Sequence, residues 1–179
     1  ATDTVGKLVI VQYETSIPLA QGKLVLAPWW VDYQGGSAQF AKRDTQYDHQ
    51  SLRFSGVFET GLWRYGVDAG YTLDAPELIS GNKQNQSLAI QVNYGKLKKQ
   101  GDYQAHLRFF RTERFGVISE FAQNATAGFA TANIKGFDTR VRYRISRSVW
   151  VGVRYSQLDT ITGTVESSHR FRIETAATF

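Results

Sequence analysis

Arg140, Arg142 and Arg144 stand at every second position of one short stretch. Side chains two residues apart leave an extended chain on the same face, so this column aligns three guanidinium groups. Guanidinium stays charged at any working pH and grips anions in a planar fork. The chemistry on offer is therefore attraction of anions, with no bond made or broken. The same alternation puts Arg53, Arg64, Arg108, Arg154, Arg170 and Arg172 on the polar faces of other stretches. Against these nine arginines stand Glu59, Asp68, Asp138 and Glu174, so the polar faces carry 9 minus 4, or +5. Glu14 and Asp32 reduce that excess if they share the polar face.

Other reactive residues are sparse. Asp48-His49 and Ser167-Ser168-His169 sit near the ends of candidate strands, and His106 falls on a polar face. None has the context of a nucleophile elbow, a metal-ligand spacing or a carboxylate pair. Cysteine is absent, which rules out disulfides and thiolate metal sites. Gly-rich phosphate loops are missing, and no basic surface interleaved with stacking aromatics suggests nucleic acid. The expectation is of no enzyme, no catalytic residue, no metal, no cofactor and no nucleic-acid partner.

The elements that position the arginines are strands. Phe137, Val141, Tyr143 and Ile145 alternate with Asp138, Arg140, Arg142 and Arg144. Val149 to Tyr155, Tyr103 to Arg111, Ser87 to Leu97 and Trp63 to Tyr71 follow the same period of two, and Ser51 to Thr60 and Lys23 to Tyr33 follow it more weakly. The end of the chain repeats it, with Phe171, Ile173, Ala177 and Phe179 opposite Arg170, Arg172, Glu174 and Thr178. At 179 residues one domain is expected. Mean hydropathy is −0.34 and no run of 18 apolar residues exists. That excludes a transmembrane helix but not a barrel, whose short alternating strands give a weak hydropathy signal.

Polarity decides which face looks outward. A soluble ligand-binding barrel would turn the apolar face inward and decorate its surface with lysine and glutamate. Here the polar faces hold mostly Arg, Gln, Asn, Gly and Ser. We therefore expect an all-β, antiparallel transmembrane β-barrel of about eight strands, on its own or as part of a larger barrel. Tyr65, Val92, Leu107, Val141, Val153 and Ile173 should face lipid, and the nine arginines should line the pore. Aromatic residues near strand ends, such as Trp63, Tyr94, Tyr103, Phe137 and Tyr155, suit interfacial girdles. Trp150 falls on the polar face, where packing is expected of it.

Connections alternate in length. Thr60 to Leu62, Lys96 to Asp102 and Ser146 to Ser148 are short; Gln34 to Gln50, Leu73 to Gln86 and Glu113 to Lys135 are long. Short periplasmic turns and long external loops are the outer-membrane pattern. Counting back from Phe179 gives eight strands down to about Gly22, hence a barrel over residues 22–179. The segment 1–21 contains a ninth candidate, Lys7 to Thr15, and is expected to act as a plug, an extra strand or a strand paired with a partner. Ala1-Thr2-Asp3 reads as the start of a chain whose signal peptide has been removed.

The stretch Tyr94-Gly95-Lys96-Leu97-Lys98-Lys99-Gln100-Gly101-Asp102-Tyr103-Gln104 resembles the turn between strands in the putative porin family of Gram-negative outer membranes. Phe121, the 128–136 stretch ending Asn133-Ile134-Lys135-Gly136, and Ser148-Val149-Trp150-Val151-Gly152 are similar to that family as well. The likeness is close over about residues 88 to 179 and loose over the first half, and corresponds to the carboxy-terminal portion of much longer members. The acidic loop segment of the family is replaced by Gln123-Asn124-Ala125-Thr126. The resemblance implies passive diffusion of small solutes across the cell outer membrane, to which the basic lumen adds a preference for anions. Lipid and lipopolysaccharide are then the surrounding partners, in a homo-oligomer or a larger membrane complex. The alternative is a sealed, non-conducting barrel that serves as a structural subunit of a larger assembly.

Overall fold

In the computed structural model the described residues are 7–34, 49–75, 77, 81, 83–117, 132–164 and 166–177. They form ten strands: β1 (Lys7–Gln12), β2 (Thr15–Leu19), β3 (Gly22–Gln34), β4 (His49–Thr60), β5 (Trp63–Thr72), β6 (Gln86–Gly95), β7 (Tyr103–Thr112), β8 (Ile134–Arg144), β9 (Val149–Thr160) and β10 (Ser167–Ala177). All belong to one antiparallel sheet in which each strand from β3 onward pairs with the next. No helix occurs among the described residues. The period-two reading thus holds along the chain. Phe179 lies outside the described residues, as do Asp48, Phe121 and the segment Gln123 to Thr126.

The amino-terminal segment joins this sheet. β1 and β2 both pair with β3, and Gln12 opposite Trp29 is in register with Thr15 opposite Leu26. Two residues on one side, Tyr13 and Glu14, lie opposite two on the other, Pro28 and Ala27, so β1 and β2 are one ladder with a gap. Pro28 explains the gap. Tyr13 N donates to Pro28 O at 3.0 Å, but proline has no N–H to return the bond. Ten elements therefore occupy nine positions in the sheet. In an antiparallel sheet the first and ninth positions run the same way. β10 and the β1–β2 ladder do not pair with each other among the described residues, and the sheet remains open.

Connection lengths segregate by end. Ala20-Gln21, Gly61-Leu62, Lys96 to Asp102 and Ile145 to Ser148 join strands at one end, while residues 35–48, 73–85, 113–133 and 161–166 join them at the other. Two of the short connections are tied together. Arg144 Nε donates to Leu97 O at 2.9 Å and its Nη1 to Arg147 O at 2.7 Å. Asp102 closes its own turn by accepting the Lys98 and Lys99 amides at 2.8 and 2.7 Å.

Burial shows which way the sheet curls. Asp138 is 2% exposed, and Ser51, Thr72 and Ser156 are fully buried. On the opposite face Leu52, Phe54, Ile90, Phe109, Val141 and Tyr143 are exposed, and Ile173 reaches 80%. A water-soluble sheet would bury the second set, since each large apolar side chain left in water forgoes ~1.5–3 kcal/mol. This sheet encloses its polar face. The outward apolar face also carries two aromatic runs. One passes through Phe58, Tyr65, Trp63, Tyr94 and Tyr103 near the short turns, the other through Phe109, Phe137, Tyr155 and His169. From Phe137 to Ile145 the outward apolar run of β8 and the residue after it extends ~26 Å at ~3.3 Å per residue, or ~20 Å across a bilayer at a tilt near 40°.

Candidate pore wall

All nine arginines singled out by alternation lie on the enclosed face. The register makes their arrangement explicit. Lys23, Glu59, Arg64, Asn93, His106, Arg140, Arg154 and Arg172 are successive cross-strand partners from β3 to β10. One row toward the long loops lie Gln91, Arg108, Asp138, Ser156 and Arg170, and one row toward the short turns Gln104, Arg142, Gly152 and Glu174. Partners within such rows have Cβ atoms ~4.5–5.5 Å apart. On β8 to β10 six arginines face Asp138 and Glu174 alone.

The wall is organised by a few contacts. Arg154 Nε donates to Asp138 Oδ2 at 2.7 Å, and His106 Nε2 lies 3.9 Å from the other carboxylate oxygen. His106 Nδ1 shares a 2.7 Å hydrogen bond with Asn93 Oδ1. Arg140 reaches Glu174 only at 3.9 Å, and its Nε is buried with no hydrogen-bond partner. Arg142 is bonded to Gln104, and its guanidinium lies over Trp150, 5.2 Å from the ring centroid. Gly152, its partner on β9, leaves the space: a Cβ there would stand 2.8 Å from Arg142 Cγ. Arg172 has neither an ion pair nor a hydrogen bond through its side chain among the described residues. Arg53 and Arg64 stand apart from this cluster, Arg53 over Trp29 and Arg64 paired with Glu59 at 3.2 Å. Arg144 is spent on the turns.

Alternation did not reveal everything on this face. Lys23 joins the arginine row, although its strand is mostly apolar inside, with Ala27, Val31 and Tyr33 buried. Asp32 takes the opposite face. The start of the long connection after β7 folds inward as a tongue, and Phe115 is 2% exposed. Thr72 Oγ1 donates to Phe115 O at 2.6 Å, Phe115 N to Gln84 O at 2.8 Å, and Arg53 Nη2 to Gly116 O at 3.0 Å. A Cβ on Gly116 would sit 2.3 Å from Gln86 O, so only glycine allows this approach. Nothing in the residue types of 113–117 announces an inward fold; it depends on partners on β4 to β6.

The three histidines lie on three different strands. His169 bonds Tyr155 Oη at 2.9 Å on the outward face, while Ser168 points inward. His49 is buried at the start of β4. No cluster of His, Cys, Asp or Glu suited to a metal occurs among the described residues.

An antiparallel sheet that turns polar side chains inward and apolar ones outward is the wall of a membrane-spanning β-barrel. Comparison agrees and narrows the class. The chain belongs to the putative porin family, whose profile matches residues 38–179, that is β4 to β10 and the whole arginine cluster. No curated protein and no solved structure matches. The protein is porin-like.

Proposed function

We propose that this protein is an outer-membrane porin of a Gram-negative bacterium through which small solutes diffuse passively, with a lumen that favours anions. Porin family membership and the inside-out polarity support the membrane barrel. The observation that carries the selectivity is the row Arg140, Arg154, Arg172, flanked by Arg142 and Arg170, against Asp138 and Glu174 as the acids of that face among the described residues of β8 to β10. Rings of arginine or lysine favour anions in a water-filled pore. The short connections lie on the periplasmic side and the long ones outside. Lipid and lipopolysaccharide surround the outward face.

Reversal potentials across a salt gradient in planar bilayers test this reading. The expected result is anion preference, moved toward neutral by Arg140→Gln, Arg142→Gln and Arg172→Gln together. Cation selectivity, or no response to the triple substitution, would overturn it.

A second reading has its own support in the open sheet. Because the first and ninth positions run parallel, closing the sheet on itself would need a parallel ladder, whereas outer-membrane barrels are antiparallel throughout. An odd number of further strands satisfies the alternation. In that case the chain forms one wall of a larger assembly, and the protein alone shows no conductance.

A further inference from the structure

We propose that the outward face of β4 to β8 binds a phosphorylated glycolipid of the outer leaflet, one acyl chain lying in a groove over Ala69 and a phosphate held by Arg111 and Lys135. The inference rests on the membrane reading above and adds a site to it. Phe54, Ala69, Leu88, Arg111 and Lys135 are successive cross-strand partners on the outward face. Ala69 is the one small side chain between Phe54 and Leu88, and it leaves a groove of about 440 Å³ lined also by Leu52, Tyr71 and Arg111. That volume falls in the range of ligand-binding clefts, ~300–1,000 Å³.

Of the two cations along the groove, Arg53 turns its guanidinium to the enclosed face over Trp29, and Arg111 stands on the outward face at the β7 side. Arg111 is exposed and gives one nitrogen to Glu113 Oε1 at 3.1 Å, while the other Glu113 oxygen accepts the Gln86 amide at 3.0 Å. The guanidinium keeps its remaining donors. Lys135, its neighbour on β8, has no side-chain partner among the described residues, and Asp159 beyond it accepts from Ser167 Oγ at 2.6 Å. An apolar trough leading to an arginine and a lysine matches an acyl chain leading to a phosphate, because the guanidinium supplies a fork and the ammonium a point charge. The cations lie at the long-loop end. That end meets the outer leaflet, whose lipid is a phosphorylated, many-chained glucosamine disaccharide.

The test uses the whole chain refolded into phosphatidylcholine vesicles and then extracted into detergent. Bisphosphorylated lipid A is titrated against wild type, Ala69→Phe and the double variant Arg111→Gln/Lys135→Gln, with binding read by native mass spectrometry. Wild type should bind saturably, and each variant, although it inserts normally, should bind about tenfold more weakly. Dephosphorylated lipid A and phosphatidylglycerol should also bind about tenfold more weakly than bisphosphorylated lipid A. Equal binding by the variants, by the dephosphorylated lipid or by phosphatidylglycerol overturns the site. Failure of wild type to insert into vesicles overturns the membrane reading as well, which separates the two.

Discussion

Arg154 Nε meets Asp138 Oδ2 at 2.7 Å on the enclosed face, and this pair neutralises one arginine of the wall while its neighbour on β10 is left without that carboxylate. Arg172, the partner of Arg154 on β10, lies beyond the reach of that carboxylate and has no other described partner. Asp138 is the most buried charge of the wall, and His106 approaches its second oxygen. One carboxylate thus ties β8 to β9.

Asp138→Ala should therefore weaken folding and strengthen anion attraction together. Loss of a buried partner leaves the Arg154 guanidinium short of its hydrogen bond, a cost of about 1–3 kcal/mol. Urea midpoints of refolding into vesicles measure the first effect and reversal potentials the second. A variant as stable as wild type would show that the pair does not organise the wall.

Val141 and Arg142 are neighbours on β8 with opposite surroundings. Val141 is exposed on the apolar face, while Arg142 rests on Trp150 inside. Val141→Arg places a charge in the bilayer at ~2–4 kcal/mol. Arg142→Val forfeits a half-buried cation–π contact worth ~0.5–2 kcal/mol. Folded yield in vesicles should fall far more for the first, and equal yields would contradict the sidedness.

Gly116→Ala should release the inward tongue. The added methyl collides with Gln86 O, so Phe115 must leave its place and Thr72 Oγ1 loses its acceptor. Hydrogen exchange at the Phe115 and Gly116 amides should accelerate by about tenfold or more, the equivalent of ~1.4 kcal/mol. Thr72→Val should produce a smaller change of the same kind.

The turn at Asp102 carries a pH dependence. The amides of Lys99 and then Lys98 hold its carboxylate below the ordinary 3.8, and the nearby Lys99 and Arg144 charges add to this. A depressed folded pKa contributes stability that is present above the unfolded pKa and lost as pH falls through the folded value. The protection of the Lys98 and Lys99 amides, measured against their intrinsic exchange rates, should therefore fall below about pH 3.8 and persist at neutral pH. Asp102→Asn should remove this acid sensitivity; an unchanged profile would reject the assignment.

Much of this was readable along the chain. Strand positions and facing followed from the period of two, since side chains alternate with no help from distant residues. Column Arg140, Arg142, Arg144 could be placed on one face from β8 alone. Boundaries moved by one to five residues: β9 continues to Thr160 because Ser156 and Leu158, buried on the enclosed face, still pair with Arg170 and Ser168. Lys23 was hidden by its strand, where an apolar inner face blurs the alternation.

Local periodicity by itself determined the all-β class, the outward apolar face and the basic character of the other face, because these depend only on side chains two residues apart. Register, neighbours and closure belong to the tertiary structure. Only pairing across seven interfaces lines up Lys23, Arg64, Arg140, Arg154 and Arg172 in one row. Only the folded sheet brings Gly116 under Arg53, joins β1 and β2 into one ladder past Pro28, and leaves Arg172 without the carboxylate that Arg154 holds. Such contacts are set by strand stagger and loop path, which no single stretch of sequence encodes.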